Sequence, residues 1–130
     1  MGAIHRIVPA DQHGVVYWFH GPSGSGKTRL AIDFAKPGWL VIDADDAREW
    51  WPELGFTPKD RITQNLRLAN MALNASKQGI HVCVASICPY GSLRQEIKAM
   101  IPWVNWVVVF GPDSKPHSND HPFELGGWRD

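Results

Sequence analysis

Several things are scarce in this chain. Its 130 residues hold two cysteines, two tyrosines and no excess of either charge, with 13 Lys plus Arg against 13 Asp plus Glu. Cys83 and Cys88 lie in or beside one predicted buried strand and lack metal-ligand spacing, which excludes a disulfide scaffold and makes them reduced structural residues. Zero formal charge excludes a broad electrostatic pull toward nucleic acid or a membrane surface, so a polymeric partner would have to be held locally. Apolar runs reach only about five or six residues, too few to cross a bilayer. No segment reads as a leader, and the expected location is the cytoplasm. The length suits about one domain, residues 1–130, with room for a real core and little room for a separate lid. Seven tryptophans are many for this size; most serve packing, and one or two could stack on a base.

What is present begins with Gly21-Pro22-Ser23-Gly24-Ser25-Gly26-Lys27-Thr28, a full phosphate-binding loop. It directly follows the apolar run Val15-Val16-Tyr17-Trp18-Phe19 and opens a helical stretch over 27–35, so strand, loop and helix stand in the required order. Gly21, Ser23, Gly24, Ser25 and Gly26 let successive backbone N–H groups turn inward onto phosphate oxygens. Lys27 can reach the terminal phosphates of ATP, and Thr28 can offer its hydroxyl to Mg2+. The positive end of the helix faces the same place.

The rest of the chain alternates strand and helix. Residues 1–14 read as an irregular arm. Trp39-Leu40-Val41-Ile42 is a continuous apolar run of the kind a buried parallel strand needs, and it ends in Asp43-Ala44-Asp45-Asp46. A short helix is expected over 47–51. Thr57-Pro58-Lys59-Asp60 then starts a longer one: N-cap, proline at the first position, acid at the third. Ile62, Leu66, Ala69 and Leu73 give that helix its expected buried stripe, Arg61, Asn65 and Arg67 fall on or near its other faces, and Gly79 caps its end. A third strand over 81–86 leads through a turn at 89–91 into a helix over 92–100 with Ser92 as its cap. A fourth strand is expected over 106–110, and residues 111–130 read as loop or flexible tail. This order predicts an α/β fold: a mostly parallel sheet of about four or five strands with helices on both faces.

In open parallel sheets, ligands sit at the carboxyl ends of the strands. Three segments should therefore converge: 21–28, 43–46 and 86–90. Phosphoryl transfer needs charge neutralisation, positioning and a carboxylate able to accept a hydroxyl proton. Asp43 and Asp45 supply the carboxylates, with Asp43 also a candidate metal ligand; the third strand ends in Ala85-Ser86 without an acid, so these two must serve both purposes. A capping role for Asp45 or Asp46 competes for one of them.

The motifs that follow resemble the adenylylsulfate kinase family, whose phosphate loop precedes an Asp-Gly-Asp motif, an arginine, Leu-Gly-Phe-Ser, Asp-Arg, Asn-x-Arg and a Ser-Pro turn. Here Asp43-Ala44-Asp45, Arg48, Leu54-Gly55-Phe56-Thr57, Asp60-Arg61, Asn65-Leu66-Arg67 and Ser86-Ile87-Cys88-Pro89 stand in that order. The resemblance covers roughly residues 15–110 and implies a P-loop NTPase fold. It also implies ATP-dependent phosphorylation with Mg2+, Asp43 or Asp45 as base, and Arg48, Phe56, Arg61, Asn65 and Ser86 as the acceptor site. Phe56 would stack on the acceptor's base; its bland alternative is core packing.

The likeness has departures. Asp-Gly-Asp has become Asp-Ala-Asp, Asp-Arg lies one residue further from Asn65, the second arginine after the asparagine is Leu68, and the basic lid after the fourth strand is missing. Beyond Gly111 the cations are Lys115 and Arg129, with His117 and His121 flanking Asp120; the two histidines read as solvent-facing instead of metal ligands. A lidless core suits a large acceptor. The chain also looks like the small viral kinases that phosphorylate the hydroxymethyl group of 5-hydroxymethyluracil in DNA, which would place it in the host cytoplasm. A flipped base could stack on Trp50, Trp51 or Trp128, and a strip of Arg48, Arg61, Arg67 and Arg94 could hold the DNA. DNA is thus the preferred acceptor, with adenylylsulfate as the alternative. A nucleotide-binding module without turnover is a third reading.

Overall fold

The computed structural model describes residues 8–126, so Trp128 and Arg129 lie outside the described residues. Four strands, β1 (Val16–His20), β2 (Leu40–Asp43), β3 (Val82–Ser86) and β4 (Val104–Val108), form one sheet in the order β2-β3-β1-β4. All three pairings are parallel. Alternation of side chains divides β1 between two cores. Val16 and Trp18 face a large cluster with Leu68, Ala69, Ala72, Leu93 and Ile97, whereas Phe19 and half-buried Tyr17 join Ala31 on the opposite side. The first cluster belongs to α3 (Pro58–Lys77) and α4 (Gly91–Met100), the second to α1 (Lys27–Phe34).

Local chemistry explains most boundaries. Thr57 caps α3 by accepting the Asp60 N–H at 3.1 Å, with Pro58 at its first turn. Its far end closes in a Schellman arrangement: Gly79, at φ +85°, donates to Ser76 O, and Ile80 donates to Ala75 O. Short helix α2 (Ala44–Ala47) starts three residues before the expected 47, because Asp43 itself is the cap and accepts the Asp45 N–H at 3.1 Å. The capping carboxylate is therefore Asp43, not Asp45 or Asp46. A 3-10 turn, Arg48–Trp50, completes the segment.

Three expectations are corrected by packing. The buried side of α3 carries Gln64, Asn65, Leu68, Ala69, Ala72 and Ser76, while Ile62, Leu66 and Leu73 are only half-buried. Small residues let the helix approach the sheet, and each buried polar one has a partner: Gln64 donates to Ala44 O, Asn65 bonds Ser86, and Ser76 bonds Gly14 O. Helix α4 starts at Gly91 without a side-chain cap from Tyr90 or Ser92; the Gly91 N–H donates to Glu124 Oε1 at 3.0 Å, a partner 33 residues away. Strand β4 begins at Val104, two residues before the expected 106, because pairing with β1 sets Val104 opposite Val16 and Trp106 opposite Trp18.

Candidate active site

The register places the carboxyl ends of β1, β2 and β3 at one level, with His20 opposite Ser86 and Asp43 opposite Ala85. A cavity of about 430 Å³ opens there. Of the residues singled out from sequence, it is lined by Ser23, Gly24, Lys27, Thr28, Asp43, Asp45, Arg48, Phe56, Arg61, Asn65 and Ser86. Gly21, Ser25 and Gly26 belong to the same loop without lining this cavity, and Gly26 lines an adjoining one together with Gly24, Lys27, Thr28 and Asp45.

The loop needs its glycines for two different reasons. Gly24 and Gly26 have φ of +81° and +88°, in the left-handed region, and Gly26 turns the chain directly into α1. Gly21 is a matter of space: a Cβ there would lie 2.1 Å from Val109 O. Lys27 Nζ donates to Pro22 O at 3.3 Å, so its ammonium sits over the loop. Burial lowers the Lys27 pKa from its ordinary value, while Asp45 and Asp43 pull it back up. The buried Ser25 hydroxyl has no hydrogen-bond partner among the described residues, an orphaned polar atom inside a phosphate cradle.

On the far side of the loop, Thr28 Oγ1 donates to Asp43 Oδ1 at 3.3 Å. Burial raises the Asp43 pKa above the usual carboxylate value, with the bond from the Asp45 N–H opposing it and the charges of Asp45 and Asp46 adding to it. Thr28 Oγ1 and the Asp43 carboxylate are two hard oxygen donors side by side and fit Mg2+, which takes one or two protein oxygens and keeps water on its other positions. Asp45, one residue into α2, is exposed and lines the same cavity.

The opposite wall is cationic and aromatic. Phe56 is 65% exposed, which removes core packing as its explanation. The Arg48 guanidinium lies 4.0 Å from its ring centroid and that of Arg61 5.5 Å. Arg48 Nη1 is tied to Gly55 O at 3.3 Å, and Arg61 Nε to Phe56 O at 2.8 Å. Burial and then the charge of Arg61 lower the Arg48 pKa, as expected where two cations share a site. Asn65 and Ser86 are almost wholly buried, at 5% and 2% exposure. Ser86 Oγ donates to Asn65 Oδ1 at 2.7 Å and accepts from Trp18 Nε1 at 2.8 Å, and Asn65 Nδ2 donates to Arg61 O at 2.8 Å. Both polar groups of this pair are thus largely committed to the protein, and they fix the first turn of α3 to the end of β3.

Sequence reasoning missed two contributions. Gln64 holds α2 against α3 and lines the cavity; it had been hidden by the apolar stripe assigned to the helix. Asn119, Asp120 and His121 line the cavity from the chain's last segment, where the sequence pointed to His121 beside Asp120 only as a solvent-facing residue. His117 Nδ1 accepts the Phe123 N–H at 2.9 Å, a structural duty, and no group of three or more potential metal ligands occurs among the described residues. The expected arginine strip does not form. Arg94 has no exposed surface, and Arg67 pairs with Glu53 at 2.8 Å while lying 5.3 Å from the Trp51 ring. Trp51 itself is half-buried against the core, leaving Trp50, at 55% exposure, as the open one of the two. No helix among the described residues is long and apolar enough to cross a membrane.

Known proteins resemble this chain in sequence and fold. The adenylyl-sulfate kinase of Chloroflexus aurantiacus is 38% identical over 112 residues, 81% of this chain and 60% of that protein. That of Deinococcus deserti is 39% identical over 106 residues, covering 76% and 59%. The chain thus spans about three fifths of the length of these curated relatives. Among solved structures, the Mycobacterium tuberculosis APS kinase CysC in complex with AMPPNP and APS superimposes with a TM-score of 0.63 at 28% identity, over 74% of this chain and 61% of that one. The family model for adenylylsulphate kinase matches residues 13–118, most of the sequence, and the chain belongs to that family.

Proposed function

We propose that this protein is an ATP-dependent kinase whose acceptor is a hydroxyl of adenylyl sulfate. The observation that carries this reading is the exposed Phe56 ring flanked by Arg48 and Arg61 across the cavity from Lys27. An exposed aromatic ring suits a purine, and two guanidinium groups against it suit an anionic group on the same small molecule. The similarity to a kinase solved with AMPPNP and APS supports the same choice.

In this reading the loop and Lys27 hold the β- and γ-phosphates, with Thr28 and Asp43 holding Mg2+. The metal, when bound, neutralises phosphate charge. The acceptor hydroxyl oxygen attacks the γ-phosphorus, the bond from that phosphorus to the β–γ bridging oxygen breaks, and ADP leaves with the electron pair. The hydroxyl proton passes to the Asp45 carboxylate, which is neither capping a helix nor bonded to Thr28. Asn65 and Ser86 serve by holding Arg61 in place.

DNA containing 5-hydroxymethyluracil is the weaker acceptor. The cations that remain, Arg48 and Arg61, point into a cavity instead of forming a track along the surface, and phosphate tracking is what DNA affinity rests on. Incubation with labelled ATP, magnesium and either acceptor separates the readings. Label in adenylyl sulfate is the expected result. Label in DNA alone would reverse the order of acceptors, and ATP binding with label in neither would make the protein a nucleotide-binding module.

A further inference from the structure

Residues 111–126 have no regular secondary structure, yet they are pinned along their length. The Lys115 N–H donates to Ser23 O in the phosphate loop at 2.9 Å, and the Glu124 N–H donates to Pro89 O at 2.7 Å. Between these points the chain folds back on itself at Ser118 and His121, and Asp120 O accepts from Arg61 Nη2 at 3.4 Å. Phe123 is 5% exposed and packs against His20 and Phe110, 5.7 and 5.8 Å between ring centroids.

One side chain holds the end of this strap. Arg94, without exposed surface, donates from Nη1 to Cys88 O at 2.6 Å, from Nε to Gly126 O at 2.8 Å, and from Nη2 to both Gly126 O and Glu124 O. Cys88 is the one described non-glycine residue with positive φ, at +44°, so the loop that supplies Ser86, Ile87 and Pro89 to the cavity is held in a strained conformation. A buried guanidinium whose donors are met by carbonyl oxygens from two separate walls fixes their spacing. Lysine, a single point of charge on a flexible stem, cannot span them.

We propose that Arg94 is a positioning residue for the acceptor: it locks the strap to the Cys88 loop so that Asn119, Asp120 and His121 form the outer wall of the acceptor pocket. The strap does there what a separate lid would do, limiting the pocket to a small molecule and excluding water. This rests on the kinase reading above, so the test includes a measurement that needs no turnover.

Arg94→Lys and Arg94→Met are compared with the wild-type chain by hydrogen exchange without substrates and by steady-state kinetics with ATP, magnesium and adenylyl sulfate. Exchange should quicken at the Phe123 and Glu124 amides. The acceptor KM should rise about tenfold or more, the loss expected from one charge-assisted hydrogen bond, with ATP KM within about twofold. Asn119→Ala and His121→Ala, at exposed positions, should raise the acceptor KM alone. Unchanged exchange in a folded Arg94→Lys would overturn the clamp. Equal rises in both KM values would reduce Arg94 to general structure, and an unaltered acceptor KM in both tip variants would remove the strap from the pocket. If neither Arg94 variant folds, Phe123→Leu, which loosens the strap without touching the Cys88 loop, takes their place with the same criteria. Absence of transfer by the wild-type chain would count against the acceptor assignment, and the exchange result would still decide the clamp.

Discussion

Replacing Ser86 by alanine removes one oxygen atom from the middle of a buried relay. The hydroxyl accepts from Trp18 Nε1 at 2.8 Å and donates to Asn65 Oδ1 at 2.7 Å, and all three residues are 5% exposed or less. Water has little access to either partner, so Ser86→Ala leaves an indole N–H and an amide oxygen without bonds. Each buried unsatisfied group costs about 1–3 kcal/mol, giving about 2–6 kcal/mol for the pair. For a domain of this size, at about 4 °C per kcal/mol, the melting temperature should fall by about 8–24 °C. Urea denaturation gives the free energy directly. A double-mutant cycle isolates the cause: in a Trp18→Phe background one of the two orphaned groups no longer exists, so Ser86→Ala should cost about 1 kcal/mol less than in the wild type. A loss below about 0.5 kcal/mol, or an additive cycle, would mean that the relay contributes nothing and that Asn65 is held by packing alone.

Other outcomes follow from the same geometry. Lys27→Ala should abolish transfer, whereas Asp45→Asn should leave ATP binding intact and lower kcat by about 10²–10⁴, the usual worth of a positioned base; full activity in Asp45→Asn would pass the role to Asp43. Phe56→Ala, at a position 65% exposed, should leave the melting temperature within about 2 °C and raise the acceptor KM, as measured by paired kinetics and thermal melts. His20 is buried and its pKa is pushed down to about 3, mainly by burial, with the charges of Arg94 and Lys27 adding to it. The unfolded chain takes up that proton below about 6.5 and the folded protein only near 3, so stability is lost as pH falls through this window. Urea melts at pH 6.5 and 5.0 should differ by up to about 2 kcal/mol, and His20→Asn should flatten the difference.

The phosphate loop, the paired acids after β2 and the start of α3 were legible in the sequence because each is written in local backbone chemistry. Glycine is required at φ +81° and +88°, proline and a hydroxyl cap announce a helix, and a short apolar run ending in acids marks the carboxyl end of a buried strand. Arg48, Phe56 and Arg61 were also legible, since they lie within about a dozen residues of one another and their order along the chain has a recognisable form. Tertiary structure alone decided what those residues do to each other. That Ser86 and Asn65 satisfy one another, that Asp43 caps α2 and bonds Thr28, and that Arg94 holds a segment 30 residues away all depend on distances through space. Composition made residues 111–126 a plain loop. Folding turned them into a wall of the site, because hydrogen bonds to Ser23, Pro89 and Arg94 come from three elements that meet only when the sheet has formed.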